Sequence, residues 1–241
     1  AAASRSSINV SMLVNWEKDV AMADPTPEAL ARKIELREQA IIAVTLIPDA
    51  DTQGHLVLGY ALHAVGELER AADHFEMAAE DKDLRRTARV QQSICLDEAG
   101  QPGRAKRALE ILRREFPDDP EVANSLGYFL AEKGEDLERA DALVAQALKD
   151  QPANGAFLDS MGWVRYRQGR AEDALDYLIR AVNVLPNDPV ILEHLGMVLQ
   201  AVGQPVEAGN AFRRALEAGG DPGRLNAAVA AADSAAAAAR P

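Results

Sequence analysis

One stretch decides how this chain is read: Leu158-Asp159-Ser160-Met161-Gly162-Trp163-Val164-Arg165-Tyr166-Arg167-Gln168-Gly169-Arg170-Ala171-Glu172-Asp173-Ala174. Gly162 and Gly169 stand seven residues apart, and Ala174 follows five residues after the second. The same marks recur along the chain. Gly66, Gly100, Gly134, Gly169 and Gly203 lie at intervals of 34, 34, 35 and 34 residues. Seven residues before each is a small residue: Gly59, Ser93, Gly127, Gly162 and Gly196. Shortly after each comes an alanine: Ala71, Ala105, Ala140, Ala174 and Ala208. A unit repeated at such a period buries its apolar face only against its neighbours.

Each mark has a physical reading. The recurrent turn glycine suits a helix C-terminus, where a left-handed residue stops the helix. The small residue within a first helix lets a second helix approach closely, and the alanine opening the second helix does the same from the other side. Pro117, Pro152 and Pro186 end three of the units, because proline cannot continue a helix. Between the marks the apolar spacing is helical: Leu158, Met161 and Gly162 share one face, and Ala174, Leu178 and Ala181 share another. The spacing defines units 52–85, 86–119, 120–154, 155–188 and 189–222, the third with one extra residue near Glu135 and Asp136.

Composition agrees with an all-α chain: alanine is abundant, and aromatics are 5% of its 241 residues. Lys and Arg number 26 and Asp and Glu 38, a formal charge of −12 spread in mixed sign. Such a chain repels a phosphate backbone, which argues against nucleic acid as a partner. With Cys95 as its one cysteine it forms no internal disulfide and no cysteine-based zinc site. No apolar run approaches the roughly 20 residues of a membrane span. A cytoplasmic location fits, and a cysteine-poor periplasmic or cell-envelope one is slightly favoured over it.

The flanks extend the pattern. Residues 1–8 read as a disordered segment. Residues 9–51 read as a degenerate helical hairpin, with Met12, Leu13, Trp16 and Val20 on its first helix. Thr26 caps the second helix, which carries Leu30, Ile34, Ile41 and Val44. Residues 223–241 read as a C-terminal capping helix and tail with a thin stripe of Leu225, Ala228, Val229 and Ala232; an Ala-rich linker is the alternative.

The period and the Leu158–Ala174 stretch resemble the tetratricopeptide repeat (TPR) family, in particular units of bacterial cell-envelope proteins. The resemblance covers 52–222 and implies a right-handed superhelical solenoid of helical hairpins, with first helices lining a concave groove. One column of that groove is Tyr60, Ile94, Tyr128, Trp163 and Met197; beside it run Leu56, Val90, Asn124, Asp159 and Glu193. His63, Glu132, Tyr166 and Arg167 lie on the same face, giving an aromatic floor with mostly acidic flanks that favours a ligand with Lys or Arg near apolar anchors. The opposing reading is that the aromatics pack between repeats and the carboxylates are solvated charge. Departures from the family pattern are Arg89, Gln92 and Ser93, which mark 86–119 as the least tightly packed unit, and Arg165, expected to snorkel into water. The groove offers Asn124 but lacks the basic set of a chaperone-tail clamp.

No catalytic constellation is legible. His55, His63, His74 and His194 form no metal motif, Ser160 lies in no nucleophile elbow, and Cys95 reads as a buried thiol. No cofactor is expected. The implied function is a scaffold or adaptor for a protein or peptide partner, in a bacterial envelope, secretion or export assembly. The alternatives are a docking segment of a longer enzyme and a self-assembling oligomer.

Overall fold

A computed structural model of the protein describes residues 51–238. The readings made for 1–8, for 9–50 and for the last three residues lie outside the described residues. These are all-α: α1 (Thr52–Ala64), α2 (Leu68–Ala78), α3 (Arg85–Glu98), α4 (Pro102–Glu115), α5 (Pro120–Lys133), α6 (Leu137–Asp150), α7 (Gly155–Arg167), α8 (Ala171–Val184), α9 (Pro189–Ala201), α10 (Pro205–Glu217) and α11 (Pro222–Ala238). Among the described residues there is no strand. The chain divides into two compact units, one up to Leu112 and one from Arg113.

The turn and interior glycines work by different physics. Gly169 has φ +78°, and a Cβ there would meet nothing within 4 Å, so the backbone conformation is what requires glycine. Gly169 N–H bonds Tyr166 O at 2.9 Å and Arg170 N–H reaches back to Arg165 O at 2.9 Å, satisfying carbonyls the helix leaves open. Gly162 is the reverse case: a Cβ would sit 2.7 Å from Leu178 Cγ and 3.3 Å from Ala174 O. The space is what excludes a side chain, and α7 and α8 close on each other there. The extra residue of the third hairpin is absorbed in its turn, where Asp136 takes φ +42° and its carboxylate caps α6 at Arg139 N–H.

Four of the five first helices are opened by Asp or Asn; α3 has Leu84 there, with no side-chain cap. Asp119, Asn154 and Asp188 each accept from two backbone N–H groups of α5, α7 and α9, at 2.9 to 3.3 Å. Second helices tie back to the preceding chain by a repeated stitch in the second unit. Gln146, Arg180 and Arg214, one repeat apart, donate to the carbonyls of Pro117, Pro152 and Pro186 at 3.3, 3.2 and 2.8 Å. Each proline ends a hairpin, and its carbonyl is paired by the second helix of the next. On α10, helix α11 buries Leu225 and Ala232 completely.

In the first unit Phe75 is fully buried at Gly59, and Tyr60 meets it edge-on with centroids 5.1 Å apart. The polar departures are satisfied locally. Gln92 is buried and accepts from Arg89 at 2.7 Å, and Ser93 Oγ donates to Val90 O at 2.7 Å. His55 and His74 face each other across α1 and α2, Nδ1 to Nδ1 at 2.8 Å, so one imidazole must donate and the other accept. Arg165 departs from its expected snorkelling: its head is held 2.9 Å from Asp141 Oδ1 and 3.2 Å from Gln168 Oε1, because the neighbouring helix offers a carboxylate at the right depth.

Gly162→Ala forces a methyl into Leu178, and overpacking of about 1–3 kcal/mol outweighs the helix propensity it gains; Gly169→Asn, tolerated at positive φ, stays close to wild type. Urea denaturation followed at Trp163 fluorescence checks the order, and equal midpoints for Gly162→Ala and wild type would mean the helices are not closed at that point. A second expectation concerns pH. Burial first, then His55 and Arg70, hold His74 below its ordinary value of 6.5, against Asp73. The unfolded chain therefore binds the proton more readily, and stability is lost as pH falls through the unfolded value. The urea midpoint should drop more steeply between about pH 7.5 and 5.5 in wild type than in His74→Gln.

Candidate functional site

Of the fourteen groove residues, five (Leu56, Tyr60, His63, the half-buried Val90 and Ile94) fall in the first unit and nine in the second, and each unit is taken by itself. In the first, Leu56 packs on Ala78, Ala79 and Ala88. Tyr60 and Ile94 are exposed large apolar side chains. His63 Nε2 lies 2.8 Å from Glu98 Oε2. The other nine lie in the second unit, on the three successive first helices α5, α7 and α9.

There the repeat register aligns three rows one repeat apart: Asn124, Asp159, Glu193; Tyr128, Trp163, Met197; and Glu132, Arg167 with the small Ala201. The rows are locked to one another across helices. Trp163 Nε1–H donates to Glu132 Oε2 at 2.8 Å, and Arg167 Nη1 donates to Glu132 O at 2.7 Å. The Arg167 guanidinium lies 5.6 Å from the Trp163 ring centre, while Tyr166 stacks on the same indole at 5.3 Å. His194 of α9 stacks on Trp163 with centroids 4.3 Å apart and planes 14° apart. Its Nδ1 is 2.8 Å from Asp159 Oδ1 in a pair whose side chains are both 8% exposed. The carboxylate can only accept, so that nitrogen carries the proton. Tyr128 lies 6.3 Å from the His194 ring.

Not all of these side chains present the same thing to a ligand. Trp163 and Asp159 are each 6% exposed and spend their surface on neighbours. Met197 packs on the core of the last hairpins. Tyr128, Tyr166, Arg167 and Glu193 are half-buried, and Glu132 is exposed. Asn124 is half-buried with its Oδ1 enclosed and unbonded among the described residues. Burial first, and then Glu132, Asp159 and Glu193, push the Tyr128 phenol above its ordinary value, against Arg224. That shift is one of burial first, with the three carboxylates adding to it.

A tetratricopeptide repeat family model matches residues 96–154 and 131–190. Residues 96–190 thus match tetratricopeptide repeats. A TPR repeat-containing protein of Pseudomonas aeruginosa is 31% identical over 153 residues, which are 62% of this chain and 25% of that protein. The chain thus spans about a quarter of the length of the curated relative it matches. Among solved structures, a thermophilic TPR protein of Thermus thermophilus is similar with a TM-score of 0.64 and 23% identity, over 75% of this chain and 98% of that one. A tetratricopeptide repeat protein of Parabacteroides merdae gives 0.70 at 10% identity, over 95% and 86%. PilW, a type IV pilus biogenesis factor, gives 0.59 at 19% identity, over 69% and 77%. At such identities the likeness is one of fold. A TPR fold suggests a scaffold for protein–protein interaction.

Two residues of this TPR face, His194 and Arg224, are absent from the groove read off the sequence. Arg224 comes from α11 and lies 3.3 Å from Glu193. The repeat gives no signal for His194: in register with Asp159 stands Glu193, and His194 aligns with Ser160. The rest of the chemistry is sparse. Among the described residues no three His, Cys, Asp or Glu side chains gather as metal ligands, and no helix is long and apolar enough to cross a membrane. Cys95 is fully buried, and burial, then Glu98, push its thiol up to about 12. Because only the thiolate attacks, Cys95 should stay unmodified by a disulfide reagent at neutral pH and react stoichiometrically once the chain is unfolded in urea; fast native labelling would contradict the burial.

Proposed function

We propose that this chain is a non-catalytic scaffold that holds a basic, partly apolar segment of another protein against α5, α7 and α9. The observation that carries this reading is the half-buried Tyr128 ring on a face whose accessible carboxylates, Glu132 and Glu193, both act on its phenol. An aromatic face ringed by carboxylates suits a Lys or Arg side chain, which gains from both the ring and the charge. The stacked Trp163, His194 and Tyr166 supply a stiff backing, so little order has to be created on binding. Leu56, Tyr60, His63 and Ile94 form the corresponding face of the first unit. The setting we infer is a bacterial envelope, secretion or export assembly, and it rests on the family resemblance.

The test is a selection from random peptides about twelve residues long on the immobilised chain, with Trp16→Phe leaving Trp163 as the sole fluorescent reporter. Selected peptides should carry Lys or Arg beside an aliphatic or aromatic residue and quench Trp163. They should lose about tenfold or more in affinity on Glu132→Lys with Glu193→Lys, and weaken in salt. Peptides that lack basic residues, or that bind the variant as well as wild type, would remove the reading.

A further inference from the structure

The inner face is not the only one with a repeated feature. On the second helices, Met77, Ile111, Ala145 and Ile179 stand 34 residues apart. The three large ones are 42%, 47% and 46% exposed. Two of these helices surround their isoleucine with opposite charge. On α4, Arg104, Arg107, Ile111 and Arg114 are exposed at spacings of three, four and three residues, a single stripe. That helix holds five basic and two acidic side chains in a chain whose formal charge is −12. On α8, Glu172, Asp176 and Ile179 are exposed at spacings of four and three, with Asp173 beside them. Its one basic residue, Arg180, lies 5.5 Å from the Tyr177 ring centre and donates to Pro152 O.

We propose that the outer face of α4 docks on the outer face of α8 of a second copy of this chain. The two stripes offer each other an exposed isoleucine at the centre and a row of opposite charge along one side. Two copies of α4 would repel each other, as would two of α8, so the charge pattern selects the mixed pair. The contact joins different surfaces, so it either occurs twice about a two-fold axis or propagates from copy to copy. One helix laid on another buries less than the roughly 1,200 Å² of a standard stable interface. The association is therefore weak, concentration-dependent and sensitive to salt.

A charge exchange tests this. One variant carries Arg104→Glu and Arg107→Glu, the other Glu172→Lys and Asp176→Lys, and circular dichroism verifies that each is folded. In sedimentation velocity at low salt, the wild-type average mass should rise with concentration, and added salt should lower it. Each variant alone should run as a monomer, because its α4 and α8 now carry like charge. An equimolar mixture should associate again, since both mixed contacts are complementary once more. Ile179→Gln, which alters no charge, should weaken association on its own. A wild type that stays monomeric at every concentration overturns the proposal. So does a reversed variant that associates as wild type does, or a mixture that remains monomeric.

Discussion

Close approach of two helices within each hairpin is the constraint on which the remaining structure depends. At Gly127, Gly162 and Gly196 the second helix sends Val144, Leu178 and Phe212 into the space a Cβ would occupy. Helices brought this near bury the alanines that open the second helix, Ala140, Ala174 and Ala208, to zero exposure. The hairpin then behaves as a rigid plank. Its inner surface is made by the residue after the glycine, which cannot turn toward the second helix because that side is already filled. Tyr128, Trp163 and Met197 are placed on the inner face by that exclusion as much as by any attraction of their own.

The same constraint decides which features are legible in the sequence. A steric requirement repeated at a fixed period leaves a mark in residue type, and the two glycine classes are such marks: one needs a left-handed backbone and the other needs emptiness. Long-range polar pairing leaves no such mark. Asp159 reads in the sequence as a solvated flank, yet it is enclosed with His194. Nothing in the local sequence of either residue announces the other. Arg165 escapes a sequence reading for the same reason, since Asp141 belongs to the preceding hairpin. The row structure of the site can be read by phasing the repeats; assigning each side chain to packing or to solvent needs the neighbouring helices in place.

The Asp159–His194 pair acts more on register than on net stability. A buried hydrogen-bonded pair adds only about 0.5–1.5 kcal/mol net, but losing one partner leaves the other unsatisfied at a cost of about 1–3 kcal/mol. Its effect here is therefore one of specification. Trp163 could slide along α9 if it met only aliphatic side chains. With His194 fixed by Asp159 on one side, and Glu132 accepting the indole N–H on the other, the ring has one register between α5 and α9. Three hairpins are thereby aligned by directional contacts where apolar packing alone would tolerate drift.

The inner and outer faces consequently answer to different constraints. Inside, the aromatic and polar contacts are spent on aligning repeats, and what remains accessible is the rim of half-buried phenols and carboxylates. Outside, within each unit, second helices pack on their own hairpin and on the first helix that follows, and in the second unit Gln146, Arg180 and Arg214 tie them to the preceding proline carbonyl. What stays exposed is the part the fold constrains least. Charge there can differ from one helix to the next without cost to the stack, so the contrast between a basic α4 and an acidic α8 is not something the fold requires. Folding alone would be equally content with a uniform polar surface. An exposed isoleucine at the same register of both helices is a small stability liability that packing within the hairpin does not explain, and a surface built for contact with another copy does.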